Sequence, residues 1–241
     1  MNVLITGATT SLGRALAAGL REKHQLRLTD FLPLNGESLE FIQSELGHDE
    51  STDRLVQGME AIVHQAYYPR QGDAELAWLD RNTRCQYNLL LAASQAGVER
   101  LVFLSTLDLF LPYDEDLTVS ENWKPLPSCE PAVLGPHLGE FTAREFAHSH
   151  ALSVLIVRLG HPVRAEQLKG RRCDPLWVDE RDVVEAIDKI LTRKPDDETR
   201  RYLGRYGILH LQSASPGARF SIHRAQRALD FQPRYNFEEN P

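Results

Sequence analysis

The residues best suited to chemistry cluster at the start of the chain. Thr6-Gly7-Ala8-Thr9-Thr10-Ser11-Leu12-Gly13 follows an apolar run, Val3-Leu4-Ile5, and opens a segment with Leu12, Leu16 and Leu20 at helical spacing. A second apolar-leaning run, Leu26-Arg27-Leu28-Thr29, closes on Asp30. The order is strand, glycine-containing turn, helix, strand, acid, which is the architecture of a dinucleotide site. A helix N-terminus gathers unpaired N–H groups and a positive dipole end, where a diphosphate can sit. Glycines let the turn tighten and the backbone approach the diphosphate, and an acid after the second strand can accept hydrogen bonds from a ribose 2′-OH. A carboxylate at that point repels a 2′-phosphate, and Phe31 offers no cation for one, so the pattern favours NAD over NADP. Thr10 stands in the middle of the turn, where its Cβ crowds the diphosphate site and its hydroxyl can donate to it.

The elements that must position these residues alternate along the chain. A third strand is expected within Leu39–Leu46 and a short helix near Thr52–Gly58. A fourth strand follows at Ala61-Ile62-Val63-His64, and a helix from Ala74 to Ala96 has Asn82, Cys85, Leu89 and Ala93 near one face, with Gly97 as its stop. The fifth strand, Leu101-Val102-Phe103-Leu104, ends in the hydroxyls of Ser105 and Thr106. A long connection, Leu107 to Gly135, carries Pro112, Pro125, Pro127 and Pro131, and connections of this length in compact domains are usually functional. Pro136 is read as the first residue of the next helix, running to about His150 with Leu138, Phe141 and Phe146 inward. A sixth strand at Ser153–Leu159, a loop at Gly160-His161-Pro162, an amphipathic helix after Asp182 and a final strand at Ile208–Leu211 complete the pattern. Alternating strands and helices imply an α/β fold with a doubly wound parallel sheet, covered on both faces. One domain is expected, with a core over about residues 1–159 and substrate-side elements over about 160–241.

The totals exclude several classes. The 241 residues are 42% hydrophobic and 25% charged, with a formal charge of −7, an ordinary globular composition. No apolar run approaches the roughly 20 residues of a membrane span. The first strand begins almost at Met1, so cleavage of a leader would destroy it, and a cytoplasmic protein is expected. Cys85, Cys129 and Cys173 are widely spaced and form no C-x-x-C pair, which argues against a disulfide framework and against a zinc site. The basic pairs Arg171-Arg172, Arg193-Lys194 and Arg200-Arg201 are interrupted by acids, which disfavours nucleic acid as a partner.

Taken in order, these segments resemble the extended short-chain dehydrogenase/reductase family, also called NAD-dependent epimerase/dehydratase, nearly end to end. Gly7 and Gly13 stand at the first and third glycines of its TGxxGxxG turn, with Thr10 at the second. Glu45-Leu46 resembles its Asp-Leu pair beside the adenine, and His64-Gln65-Ala66 its "HLA" segment. Asn82 through Asn88-Leu89-Leu90 to Gly97-Val98-Glu99-Arg100 resembles its "N…NLL.AA…GV.R" helix, and Val102 to Thr106 its "VYxSS" strand. Arg158-Leu159-Gly160, Trp177-Val178 with Asp182-Val183-Val184, and Leu229-Asp230-Phe231-Gln232-Pro233 resemble its later motifs. The resemblance implies a Rossmann core with a small C-terminal substrate-binding part. It implies NAD contacts from Gly7, Thr9, Thr10, Ser11, Leu12 and Gly13 in the turn, and from Asp30, Phe31, Glu45 and Leu46 at the adenosine end. Gln65, Ala66, Tyr67, Asn82 and Ser105 are implied nearer the nicotinamide, and a homodimer is implied through the helices around Asn82–Ala96 and His137–His150.

Catalysis in the family centres on a Ser or Thr after the fifth strand and a Tyr-x-x-x-Lys on the next helix. Thr106 occupies the first position. Leu138-Gly139-Glu140-Phe141 resembles the run that follows the lysine, and that register puts Ala132 at the tyrosine and Pro136 at the lysine. No Y-x-x-x-K occurs anywhere in the chain. Neither alanine nor proline transfers a proton, and general acid–base help is worth about 10²–10⁴-fold in rate. Tyr113, His137 and Glu140 are the candidate substitutes near the expected site, each with an ordinary surface or capping role as the alternative. His161 follows the sixth strand at the ligand mouth, and Tyr67 and Tyr68 either line the cleft or cap the sheet. Two functional readings follow. The first is an NAD-binding protein with a degenerate catalytic site, acting as sensor, regulator or partner subunit. The second is an NAD-dependent oxidoreductase or epimerase acting on a sugar-like hydroxyl through an unconventional acid/base.

Overall fold

Seven parallel strands form the central sheet of the computed structural model, which describes residues 1–36, 38–65, 75–168, 171–192, 204–215 and 217–237. They are β1 (Asn2–Thr6), β2 (Gln25–Asp30), β3 (Glu40–Gln43), β4 (Ala61–Gln65), β5 (Arg100–Thr106), β6 (Ser153–Leu159) and β9 (Tyr206–Leu211). Their order is β3-β2-β1-β4-β5-β6-β9, so the winding reverses between β1 and β4. A crevice opens at the carboxyl ends of the strands at such a reversal, and ligands of doubly wound sheets bind there. Two short strands, β7 (His161–Val163) and β8 (Trp177–Asp179), pair separately beyond the end of β6.

Successive residues of the strands face opposite sides. Val3 and Ile5 join Val102, Leu104 and Val157 in a core capped by α1 (Ser11–Leu20), which contributes Leu16 and Leu20. Leu4, Leu101 and Phe103 face the opposite core with Leu55 of α2 (Glu50–Val56). On that side α3 (Glu75–Asp80) runs through a π-helical turn at Arg81–Cys85 into α4 (Gln86–Gln95). The helix α5 (Pro131–Ser149) lies beside them, while α6 (Glu180–Thr192) and α7 (His223–Leu229) join α1 on the first side. Both faces of the sheet are covered, so its strands are continuous apolar runs. The face expected for the long helix is buried: Asn82, Cys85, Leu89 and Ala93 are each at most 1% exposed.

Several boundaries differ from the sequence reading. The third strand is only Glu40–Gln43, and Glu45-Leu46 lies beyond it, with Leu46 at φ +50°. The Gly160-His161-Pro162 loop contains the start of β7. The largest difference is at α5. It begins at Pro131, in the first turn where a missing N–H is harmless, and continues through Pro136. Pro136 removes only its own bond toward Ala132, one turn into the helix, so the helix is not delayed.

Leu138 and Phe141 also point outward, at 37% and 54% exposure, whereas Phe146 is buried as expected. The inward stripe is instead Gly135, Gly139, Ala143, Phe146 and Ala147. A Cβ on Gly139 would stand 2.6 Å from Gln86 Oε1 and 2.7 Å from Phe103 Cζ. The close approach of α5 to α4 and β5 therefore demands small residues on that face and turns the larger ones to the surface. No helix among the described residues is long and apolar enough to cross a membrane. All three cysteines are free thiols, and burial beside Asp80 pushes Cys85 up to about 11.

Candidate functional site

The turn after β1 is built as a tight cradle. Gly7 sits at φ +68°, which favours glycine, and a Cβ there would come within 3.2 Å of Gln65. Thr10 is the N-cap of α1: its hydroxyl accepts from the Gly13 N–H at 2.9 Å and donates to the Gly7 carbonyl at 2.8 Å. Thr10 thus stabilises the helix start with the oxygen that was expected to point at a phosphate. Gly13 packs on the Gly7 carbonyl so closely that a Cβ would overlap it. Ser11, which is exposed, and Leu12 are the first helical residues, whose N–H groups have no acceptor within the helix.

Asp30, 3% exposed, reaches back across this turn. Its Oδ2 accepts from the Thr9 N–H at 2.9 Å and from the Thr9 hydroxyl at 2.7 Å. A recess joins Gly7, Asp30, Phe31, Leu46 and Gln65, with Thr6, Thr29, Ser44, His64 and Arg81 completing its wall. The guanidinium of Arg81 stands over the Phe31 ring at 4.9 Å from its centre. Arg81 was not singled out from the sequence, and nothing in the spacing of residues 31 and 81 signals the pairing. His64 is fully buried, with Nδ1 2.8 Å from the Thr6 hydroxyl, and burial holds its pKa down at about 3.

Other expected cofactor residues fall elsewhere. Glu45 is exposed, and its carbonyl accepts from Cys85. Asn82 is buried between α3 and α5, donating to the Trp78 carbonyl at 2.9 Å. Ser105 is buried and donates to Glu140 Oε1 at 2.6 Å. Ala66, Tyr67 and Tyr68 lie outside the described residues.

The ends of β5 and β6 lie side by side, with Thr106 in register with Leu159. The Thr106 hydroxyl is fully buried and accepts from the Asp108 N–H at 3.0 Å, so it caps the turn that follows β5. Tyr113 donates its phenol to the Lys124 carbonyl, and Glu140 is engaged by both Ser105 and Arg158. His137 is half-buried beside Pro136, with Nδ1 unpaired. His161 is more open: its side chain is 40% exposed, with Nε2 3.0 Å from Asp108 and Nδ1 3.5 Å from Asp174. The Asp108 carboxylate, ahead of opposing burial and helped by Asp174, raises the His161 pKa above its ordinary value. Asp174 also borders a cavity of about 500 Å³, bounded by Leu111, Glu115, Leu176, Gln212 and Arg219 among others. That volume suits a small-molecule ligand. Among the described residues no group of three or more His, Cys, Asp or Glu side chains could hold a metal ion.

A model of the NAD dependent epimerase/dehydratase family matches residues 3–174. The chain belongs to this family. Among curated members similar to it, an NAD-dependent glucose-6-phosphate dehydrogenase from Haloferax volcanii is 25% identical over 98% of this chain and 94% of its own length. A uronate dehydrogenase from Pseudomonas syringae is 26% identical over 78% of this chain and 69% of its own. A solved structure of uronate dehydrogenase from Agrobacterium tumefaciens, a mutant complexed with NAD, superposes with a TM-score of 0.82 at 23% identity, covering 98% of this chain and 85% of that one. The parallel Rossmann sheet of this epimerase/dehydratase family member carries its recess and cavity at the carboxyl ends of the strands.

Proposed function

We propose that this family member is an NAD-dependent oxidoreductase acting on a hydroxyl of a sugar-like substrate. The observation that carries the reading is that two spaces open at the carboxyl ends of the strands. One is the Gly7–Asp30–Gln65 recess and the other the 500 Å³ cavity beside the ends of β5 and β6. The sugar dehydrogenases among the relatives support the same substrate class. The residues present fit a dinucleotide: the tight Gly7 turn and the free N–H groups of Ser11 and Leu12 suit a diphosphate, and Asp30 suits a ribose hydroxyl. Bound there, NAD supplies a two-electron hydride acceptor. The elements after β6, including β7, β8 and the chain around Gln212 and Arg219, form the substrate side.

A second reading is favoured by Ala132 and Pro136. A protein that holds NAD without turning it over, serving as a regulator or partner subunit, needs neither tyrosine nor lysine. Titration with NADH by fluorescence, followed by assay of a sugar panel with NAD⁺, separates the two. Binding with turnover supports the enzyme, and binding without turnover supports the regulator. We also propose a homodimer through α4 and α5, whose outer faces expose Tyr87, Leu138 and Phe141.

A further inference from the structure

Proton transfer at this site needs a side chain that is open to the cavity, can exchange a proton near neutral pH and is held in one orientation. The hydroxyl and carboxyl groups at the ends of β5 and β6 fail the first requirement. Thr106 and Ser105 are fully buried, and the Glu140 carboxylate is bonded by Ser105 and by the Arg158 guanidinium. Tyr113 has its phenol on the Lys124 carbonyl. His161 comes nearest to all three: its side chain is 40% exposed, its Nδ1 touches Asp174 of the cavity wall, and Asp108 holds its ring.

We propose that His161 is the acid/base of this family member, with Asp108 as the positioning residue that fixes its ring. The inference rests on the oxidoreductase reading. The geometry is that of a base oriented by a carboxylate. Asp108 is anchored by its own N–H, which donates to Thr106, so the residue at the family's hydroxyl position orients the pair rather than touching the substrate. Nε2 faces Asp108 at 3.0 Å, a full hydrogen bond, whereas Nδ1 is 3.5 Å from Asp174, at the limit of one. Asp174 also lines the cavity, and the backbone N–H of His161 donates to the carbonyl of Leu176, another cavity residue. Nδ1 is therefore the more loosely held nitrogen, and it faces Asp174 of the cavity wall, whose contact a substrate hydroxyl replaces.

In the oxidation, the substrate O–H bond breaks and its proton passes to Nδ1 while Nε2–H stays on Asp108. With NAD bound as the two-electron acceptor, the adjacent C–H bond would break with its electron pair leaving as hydride, and the carbon–oxygen bond would become a carbonyl. The imidazolium returns the proton to water. The charged groups facing the ring are Asp108, from the turn after β5, and Asp174, from the segment before β8. Both favour the protonated ring, so the neutral base forms only above the ordinary histidine range and oxidation quickens as pH rises.

The experiment pairs NMR with kinetics on the full-length protein. The His161 imidazole, assigned with His161→Asn, is titrated in wild type and in Asp108→Asn. Initial rates with NAD⁺ and a panel of neutral aldoses, sugar phosphates and uronates are then measured against pH. The His161 pKa in wild type is expected above the ordinary histidine value and lower in Asp108→Asn, with the midpoint of kcat/KM moving by the same amount as the NMR pKa. His161→Asn should lower kcat by about 100-fold or more with KM for NAD⁺ little changed, while His137→Asn leaves kcat within about threefold. A His161→Asn protein with wild-type kcat, or a rate profile that stays put when the NMR pKa moves, overturns the acid/base role and leaves the oxidoreductase standing. A wild type that binds NADH but turns over no sugar overturns the oxidoreductase reading, and the proposal with it.

Discussion

Glu140 and Arg158 meet in a buried, two-bond pair beneath the carboxyl ends of β5 and β6. Nε of the guanidinium donates to Oε1 at 2.8 Å and Nη2 to Oε2 at 2.7 Å, with Ser105 adding a third bond to Oε1. Their exposures are 5% and 2%, and the guanidinium also stands 4.8 Å over the Phe110 ring. The pair joins α5 to β6 and engages Glu140, one of the candidate acid/base groups on α5.

Breaking the pair from one side leaves an uncompensated buried charge. Glu140→Ala should destabilise the fold by about 3–5 kcal/mol, whereas Glu140→Leu combined with Arg158→Met should recover most of that loss. Urea unfolding of the three variants checks this. Equal losses in the single and double variants would mean that packing, not charge, holds the position.

At the adenosine end, Asp30 should set the preference for NAD over NADP. Asp30→Ala should weaken NADH binding by about 10–100-fold, the range for a hydrogen bond to a charged group, and weaken NADPH binding much less. Arg81 lies in the same recess and is the cation available to a 2′-phosphate, so Arg81→Ala should reduce NADPH binding more than NADH binding. Fluorescence titration with both dinucleotides decides it, and a preference unchanged by Asp30→Ala would refute the role of the acid.

Acid should destabilise the protein through its buried histidines. His64 is neutral in the fold, with its pKa held at about 3, and His210, buried against Phe110 and Phe220, is also held well below the ordinary range. On unfolding, each binds a proton at its ordinary value near 6.5. Below that pH the unfolded state carries more protons, so stability falls as the pH drops from about 6.5, for His64 down to about 3, by up to about 1.4 kcal/mol per pH unit for each ring. His64→Gln should remove one such slope. Unfolding curves of wild type and variant that keep parallel pH dependence would contradict this.

Much of the first strand–turn–helix–strand unit was legible because its signals are local. Gly7, Gly13 and Asp30 fall within one strand–turn–helix–strand unit, and that unit folds as its spacing implies. The α5 face was not legible. Leu138 and Phe141 carry the hydrophobicity, but Gly135 and Gly139 carry the contact, and only the closeness of Asn82, Gln86 and Phe103 reveals it. Pro131 and Pro136 both suit a helix start, and sequence alone had no means of choosing the earlier one. The His161 cluster was hidden for a different reason. Asp108, His161 and Asp174 are distant in the chain and meet only through the β5–β6 register and the turn into β8.

The outward turn of Leu138 and Phe141, together with Tyr87, predicts self-association. Light scattering across micromolar concentrations should give a dimer mass, and Phe141→Glu with Leu138→Glu should give a monomer. A monomeric wild type would rule the proposed interface out.

The most direct test of the oxidoreductase reading is the absorbance of NADH formed by purified protein with NAD⁺ and single sugars, sugar phosphates and uronates. The account predicts NADH formation with at least one of them, faster at alkaline than at neutral pH, and lost on Gly13→Val, which closes the cradle at the Gly7 carbonyl. NADH binding with no turnover of any substrate at any pH would contradict it.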